Sequence, residues 1–253
     1  MADAAERAIM PRYRQLASAD VLDKAVGEPV TIADRESEAI LAAGLAKILP
    51  EAQIVGEEAA DADHAVRDRL GDRLCWIIDP LDGTGNFVAG KGPFGILVAL
   101  AERGETIGGW IFDPLSRRFV AAMRGEGATI DGEPFRSRES GRRPRTAAIS
   151  SMFDPERRAR LSQALEPHFQ TVPIPRCAAE QYPRMILGVN DLTLFERTLP
   201  WDHAAGVLCL TEAGGMATRL DGSTYRVDDA RSGLIAATSP AVWEEALGRI
   251  GAA

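Results

Sequence analysis

Cysteine and histidine are scarce in this chain. Three of each are spread over 253 residues, and Cys75, Cys177 and Cys209 show no metal-ligand spacing. An odd number of cysteines in apolar surroundings reads as buried free thiols in a reducing compartment. Basic residues are outnumbered: 29 Lys and Arg face 37 Asp and Glu, for a net charge of −8. That balance disfavours general nucleic-acid binding through a basic surface. No apolar run is long enough to span a bilayer, so no membrane association is expected. Met1-Ala2-Asp3-Ala4-Ala5-Glu6-Arg7 offers no basic leader ahead of an apolar run. No signal peptide is expected, and the cytoplasm is the expected compartment. Internal repeats and low-complexity segments are absent as well.

What is present suits one large domain or two small ones joined tightly: 45% hydrophobic and 26% charged residues. Residues 3–22 read as an irregular amphipathic helix broken at Pro11. A polar linker with Lys24, Gly27 and Pro29 follows, then a helix capped by Asp34 that stops before Pro50. Ile54-Val55 forms a short strand, and Ala59 to Gly71 a charged loop or helix. Strands are expected at 95–100, 107–112, 118–123 and 125–130 without helices between them. The first half, 1–140, is therefore α+β with an antiparallel or mixed sheet. The basic run Arg136 to Arg145 marks the internal boundary. The second half, 141–253, alternates strands at 147–150, 171–174, 192–196, 216–218 and 234–237 with helices at 154–165, 178–187, 201–213 and 240–250. That alternation is the pattern of a layered α/β unit.

The organising stretch is Trp76-Ile77-Ile78-Asp79-Pro80-Leu81-Asp82-Gly83-Thr84-Gly85-Asn86-Phe87. Three apolar residues suit a buried strand, and the chain then turns abruptly polar. Ligands of α/β proteins bind past the carboxyl ends of strands. Two carboxylates three residues apart suit a hard cation, and the uncovered amides of Gly83-Thr84-Gly85 suit a phosphate. Alone, the same residues also read as a tight surface turn. Glu57 ends another short strand, and Asp202 stands at or near a helix start, where a lone Asp is most often an N-cap. Four acidic residues, each at the end of an element, are harder to dismiss as independent caps. If Glu57, Asp79, Asp82 and Asp202 converge, their repulsion calls for Mg2+ ions.

Gly56-Glu57-Glu58, the Trp76–Phe87 string and Trp201-Asp202-His203-Ala204-Ala205-Gly206 resemble the three signature motifs of the inositol monophosphatase family. Val30-Thr31-Ile32-Ala33-Asp34 resembles an upstream element of the same family. The resemblance implies a layered α/β/α/β/α sandwich and Mg2+-dependent hydrolysis of a small phosphate ester. Inositol monophosphate is the leading substrate it implies, with lithium sensitivity and a homodimer. Histidinol phosphate, fructose-1,6-bisphosphate and adenosine 3′,5′-bisphosphate are alternatives on the same fold. A regulatory partner of the transcription machinery is the alternative outside catalysis. Residue by residue, Glu57, Asp79 and the Leu81 carbonyl would hold one ion. Asp79, Asp82 and Asp202 would hold a second, and Glu57 would reach a weaker third through water. Thr84 and Asp34 would orient and deprotonate the attacking water, and the Gly83 and Thr84 amides would hold phosphate. His203 reads as structural.

On the substrate side the resemblance points to Asp82, Ala179, Glu196 and Asp202. The segment corresponding to the family's Gly-Ser/Thr-Ala element is Cys177-Ala178-Ala179, which puts a thiol where a hydroxyl is usual. Glu196 aligns with an inositol-facing Glu only across a gap, and reads equally well as a strand-end charge. Arg176 and Arg184 flank this segment and are the candidates for holding a second phosphate.

Overall fold

The computed structural model describes residues 1–17, 20–25 and 28–251. A short helix, α1 (Ala2–Ala4), continues through a wide turn over Ala5–Ile9 and a tighter one over Met10–Arg12. Pro11 lacks the amide needed to extend it. The helix expected through residue 22 stops here. Leu22 lies instead in β1 (Val21–Ala25), opposite Val30 of β2 (Glu28–Thr31). β-branched Val21, Val30 and Thr31 favour that pairing. Lys24 and Pro29 thus belong to strands, and Gly27 lies outside the described residues.

Helix α2 (Ile32–Ile48) starts from Thr31, not Asp34. The Thr31 hydroxyl accepts from the Ala33 amide at 3.1 Å, and Asp34 Oδ2 accepts from the Thr31 amide at 2.8 Å. Asp34 is therefore the reciprocal third-position member of a capping box.

A seven-stranded sheet follows. β3 (Gln53–Gly56) pairs parallel with β4 (Cys75–Asp82). The span between them is helical: α3 (Glu57–Ala62), then a tight turn over His64–Gly71. β5 (Gly95–Glu102), β6 (Glu105–Phe112), β7 (Phe119–Met123), β8 (Gly127–Ile130) and β9 (Glu133–Phe135) extend the sheet as an antiparallel meander. A five-stranded sheet is built from β10 (Arg145–Ile149), β11 (Phe169–Val172), β12 (Leu192–Phe195), β13 (Met216–Arg219) and β14 (Leu234–Ala237). Its order is β11-β10-β12-β14-β13. The remaining helices are α4 (Thr84–Val88), α5 (Pro155–Leu165), α6 (Ala178–Ile186), α7 (Pro200–Glu212) and α8 (Pro240–Ile250).

Side-chain alternation along β4 explains the layering. Trp76 and Ile78 face Ile9 and Leu41 on the side covered by the chain start and α2. Ile77 faces Tyr182, Trp201 and Leu208 of α6 and α7. Both faces are buried, so the strand reads as a continuous apolar run. Leu234 and Ala236 of the second sheet join the same middle core. On that sheet's far face, Ile149, Leu194 and Ile235 pack against Leu161 and Val242 of α5 and α8. The result is the layered α/β/α/β/α sandwich. Helices α6 and α7 pack closely because a Cβ at Gly206 would fall inside the Tyr182 ring.

Candidate active site

The site forms where β4 ends. Along a regular strand, side chains three residues apart point to opposite faces. Between Asp79 and Asp82 the pairing with β5 slips: Asp79 lies opposite Leu97 and Asp82 opposite Gly95. This bulge at Pro80 and Leu81 inserts one residue, so both carboxylates line the same pocket. Pro80 has no amide to lose from the ladder. Its carbonyl accepts from the Ser37 hydroxyl at 2.8 Å, which ties the bulge to α2. Gly83 then turns the chain with φ of +81°, a left-handed conformation that glycine adopts freely, and α4 begins.

Asp79 is 1% exposed, and its Oδ1 accepts from the Leu81 amide at 3.1 Å. Burial raises its pKa well above the usual carboxylate range, and the charges of Glu57, Asp82, Asp202 and Asp34 push the same way. Burial also raises Asp82, although Ala179 donates its amide to Asp82 Oδ2 at 2.6 Å. Glu57 and Asp202 enter the pocket from the first turns of α3 and α7. The α3 start is held by Glu38, whose carboxylate accepts from the Glu58 amide at 2.8 Å and the Ala59 amide at 2.9 Å.

Asp34 is buried behind Thr84. The Thr84 hydroxyl lies 3.0 Å from Asp34 Oδ1 and 2.9 Å from the Leu81 carbonyl. Burial raises the Asp34 pKa, against the lowering effect of hydrogen bonds from Thr31 and Thr84.

Glu57, Asp79, Leu81, Asp82, Gly83, Thr84 and Asp202 all line one pocket. Ala179 contributes through its amide bond to Asp82. Glu196 is not brought into the pocket wall. Its two carboxylate oxygens accept from Arg157 Nη1 at 3.1 and 3.0 Å. His203 is buried, and its Nε2 donates to the Arg197 carbonyl at 3.0 Å. Its Nδ1 therefore accepts from the Tyr182 hydroxyl at 2.8 Å. Burial lowers its pKa to about 3, which leaves a neutral ring with both nitrogens engaged. Arg176 lines the pocket, whereas Arg184 Nε is bound to Glu180 at 2.7 Å.

The donor set is all oxygen and strongly acidic, the chemistry of a hard divalent cation. Among the described residues, no three His, Cys, Asp or Glu side chains are drawn together as a closed ligand set. The residues fit Mg2+ by type, and the raised Asp79 pKa records the electrostatic cost that cations would remove. Ser37 and Glu38 were not legible from sequence. Both sit inside an ordinary helical pattern, and their partners are 43 and about 20 residues away.

The model of the inositol monophosphatase family matches residues 1–251. The chain is 32% identical over 205 residues to the fructose-1,6-bisphosphatase/inositol-1-monophosphatase of Thermotoga maritima, covering 80% of this chain and 77% of that protein. It is 30% identical to the Nus factor SuhB of Haemophilus influenzae over 96% of its own length and 90% of the relative's. To the chloroplastic bifunctional phosphatase IMPL2 of Arabidopsis thaliana it is 28% identical over 89% of its length, and it spans 64% of that protein. Among solved structures, the Thermotoga maritima IMPase superposes with a TM-score of 0.80 at 25% identity, covering 100% of this chain and 94% of that one.

Proposed function

This chain belongs to the inositol monophosphatase family, and from that premise we propose that it hydrolyses a small phosphomonoester with Mg2+ as its cofactor. The observation that carries this reading is the convergence of Glu57, Asp79, Asp82 and Asp202 on the pocket that also holds Thr84. Glu57, Asp79 and the Leu81 carbonyl would hold one ion, and Asp79, Asp82 and Asp202 another, with Glu57 reaching a third through water. Bound there, such ions neutralise phosphate charge and lower the pKa of water. The chain's own residues do the rest. The Gly83 and Thr84 amides hold the phosphate. Thr84 orients the attacking water, and its hydroxyl passes a proton towards Asp34 Oδ1, 3.0 Å away. A carboxylate with a raised pKa is the better base for that step. Water adds at phosphorus, the P–O bond to the alcohol breaks, and the leaving oxygen takes up a proton.

Inositol monophosphate is the reference substrate, supported by the activity named for the Thermotoga relative. The bisphosphatase activity in the same name supports fructose-1,6-bisphosphate as the competitor. Phosphate release with Mg2+, with EDTA and with Asp79→Asn tests the mechanism. Turnover should fall by several powers of ten in the variant, because two ion sites share that carboxylate. Full activity in EDTA would end the metal mechanism. Family membership also supports a homodimer, which sedimentation velocity reads directly.

A second reading follows from the relative named Nus factor SuhB: a partner role in transcription. The net charge of −8 argues against direct RNA contact. Recovery of polymerase components by an inactive Asp79→Asn protein would favour it.

A further inference from the structure

In the second sheet β10 lies between β11 and β12, parallel to both. The chain leaves β10 to form β11 on one side, then returns to form β12 on the other. Such a reversal opens a crevice at the carboxyl ends of the strands, the usual ligand position in open α/β sheets. Here the segments after all three strands reach the carboxylate pocket. Ser151 follows β10, Arg176 follows β11 and Arg197 follows β12. The pocket therefore joins the carboxylates Glu57, Asp79, Asp82 and Asp202 to a wall that includes Arg176 and Arg197.

Nearby arginines are mostly neutralised. Arg118 Nη2 and Arg184 Nε share Glu180 at 2.6 and 2.7 Å, and Arg157 holds Glu196. Arg176 differs. Among the described residues its guanidinium has no hydrogen-bond or ion-pair partner. Its backbone is left-handed, with φ of +55°, a conformation easy for glycine and strained for a long side chain. Strain at a non-glycine residue in a pocket wall marks function more often than folding. The position is also fixed. Asn86 Nδ2 donates to the Pro175 carbonyl at 3.1 Å, joining the peptide before Arg176 to the turn that follows Gly83.

Given a phosphatase at this site, we propose that the pocket binds a second anionic group, carried by the alcohol part of the ester, and that Arg176 is its cationic partner. The phosphate under attack belongs at the acidic wall, so the alcohol extends towards the ends of β10, β11 and β12. A neutral polyol leaves the guanidinium without an anion. A carboxylate or second phosphate satisfies it through charge-assisted hydrogen bonds from its planar fork. The substrate class is thus sugar bisphosphates or phosphorylated hydroxy acids, ahead of a simple polyol monophosphate.

The test compares kcat/KM of the full chain with Mg2+ for fructose-1,6-bisphosphate, 2-phosphoglycerate and inositol 1-phosphate. Preference for one of the first two tells a second phosphate from a carboxylate. Arg176→Gly suits the left-handed backbone and should fold. It should lower the ratio of the preferred anionic ester to inositol 1-phosphate by about 10- to 100-fold, chiefly through KM. Arg176→Lys should keep part of the ratio, and Arg184→Gln should leave it unchanged. A wild-type preference for inositol 1-phosphate, or a ratio unmoved by Arg176→Gly, would overturn the proposal. If no ester is cleaved, p-nitrophenyl phosphate included, the phosphatase reading fails instead. Calorimetry of fructose-1,6-bisphosphate on Ca2+-loaded protein then decides: binding that depends on Arg176 upholds the anionic subsite, and binding that does not refutes it.

Discussion

The Thr84 hydroxyl stands 3.0 Å from Asp34 Oδ1 across 50 residues of sequence. The contact joins the first turn of one helix to the turn after β4. It makes a proton path available without any histidine. Thr84→Ala and Asp34→Asn should each lower kcat by about 10²- to 10⁴-fold, the usual worth of a positioned base. If they act as a unit, the double variant loses little more than either single one. Multiplicative losses in steady-state kinetics would show that they work separately.

Mg2+ should stabilise the protein more strongly at alkaline than at acid pH. The folded-state pKa of Asp79 is raised by burial and by its acidic neighbours. Its contribution to stability is therefore full below the ordinary carboxylate pKa and is lost as pH rises towards the folded value. Melting curves in EDTA and in Mg2+ at about pH 5 and about pH 8 measure this. Asp79→Asn should flatten the EDTA series. A Mg2+ shift independent of pH would contradict the account.

His203 gives the opposite slope. Its pKa falls from 6.5 to about 3 on folding. Above pH 6.5 neither state is protonated. Below it, the unfolded chain takes up a proton that the buried ring refuses, so stability is lost between 6.5 and about 3. The loss approaches about 1.4 kcal/mol per pH unit for a single group. Urea titrations of wild type and His203→Gln across this range should diverge as pH drops, with the variant less acid-sensitive.

Glu38 should matter although it touches no substrate. Its carboxylate fixes the amides beside Glu57, and a Cβ at Gly56 would fall on that carboxylate. Glu38→Ala should weaken Mg2+ activation by about 10- to 100-fold. Gly56→Ala should do the same by displacement, and the two should not add. Additive losses in Mg2+ titrations would mean two independent defects.

Lithium should inhibit without competing with substrate. On the proposed ion sites, Asp79, Asp82 and Asp202 would form an all-carboxylate set that selects a small hard cation mainly by charge. Lithium matches Mg2+ in size with half the charge, so it would stall the enzyme while product is bound. Initial rates against substrate at several lithium concentrations, with sodium as control, should give uncompetitive or noncompetitive patterns that Asp202→Asn weakens. Purely competitive inhibition would reject that site.

Much of the site was legible because it is punctuated locally. Pro80, Gly83 and the Asp pair announce the turn after β4 in one short string. Asp202 is announced by the proline before it at a helix start. What was not legible depends on reciprocity or distance. Thr31 and Asp34 are both good caps three residues apart, and only their mutual hydrogen bonds settle which is which. Arg176 and Arg184 look equivalent in sequence, but Glu180 claims one of them. Glu196 is claimed by Arg157, 39 residues away. At the chain start, weak periodicity over residues 3–22 concealed a hairpin whose second strand lies beyond Gly27.

Helix α7 also sets the order in which the protein can be made. The first sheet is complete once Phe135 has been synthesised, yet the helix that covers one of its faces begins at Pro200. Until that last fifth of the chain emerges from the ribosome, Ile77, Leu97, Ala99 and Ile111 lack most of their partner layer. A nascent chain in this state exposes a broad apolar surface and is prone to capture by chaperones or by its own kind. A 1–140 fragment should accordingly be insoluble alone and recover when 141–253 is co-expressed. Slow codons or pauses between residues 140 and 200 would lengthen the exposure.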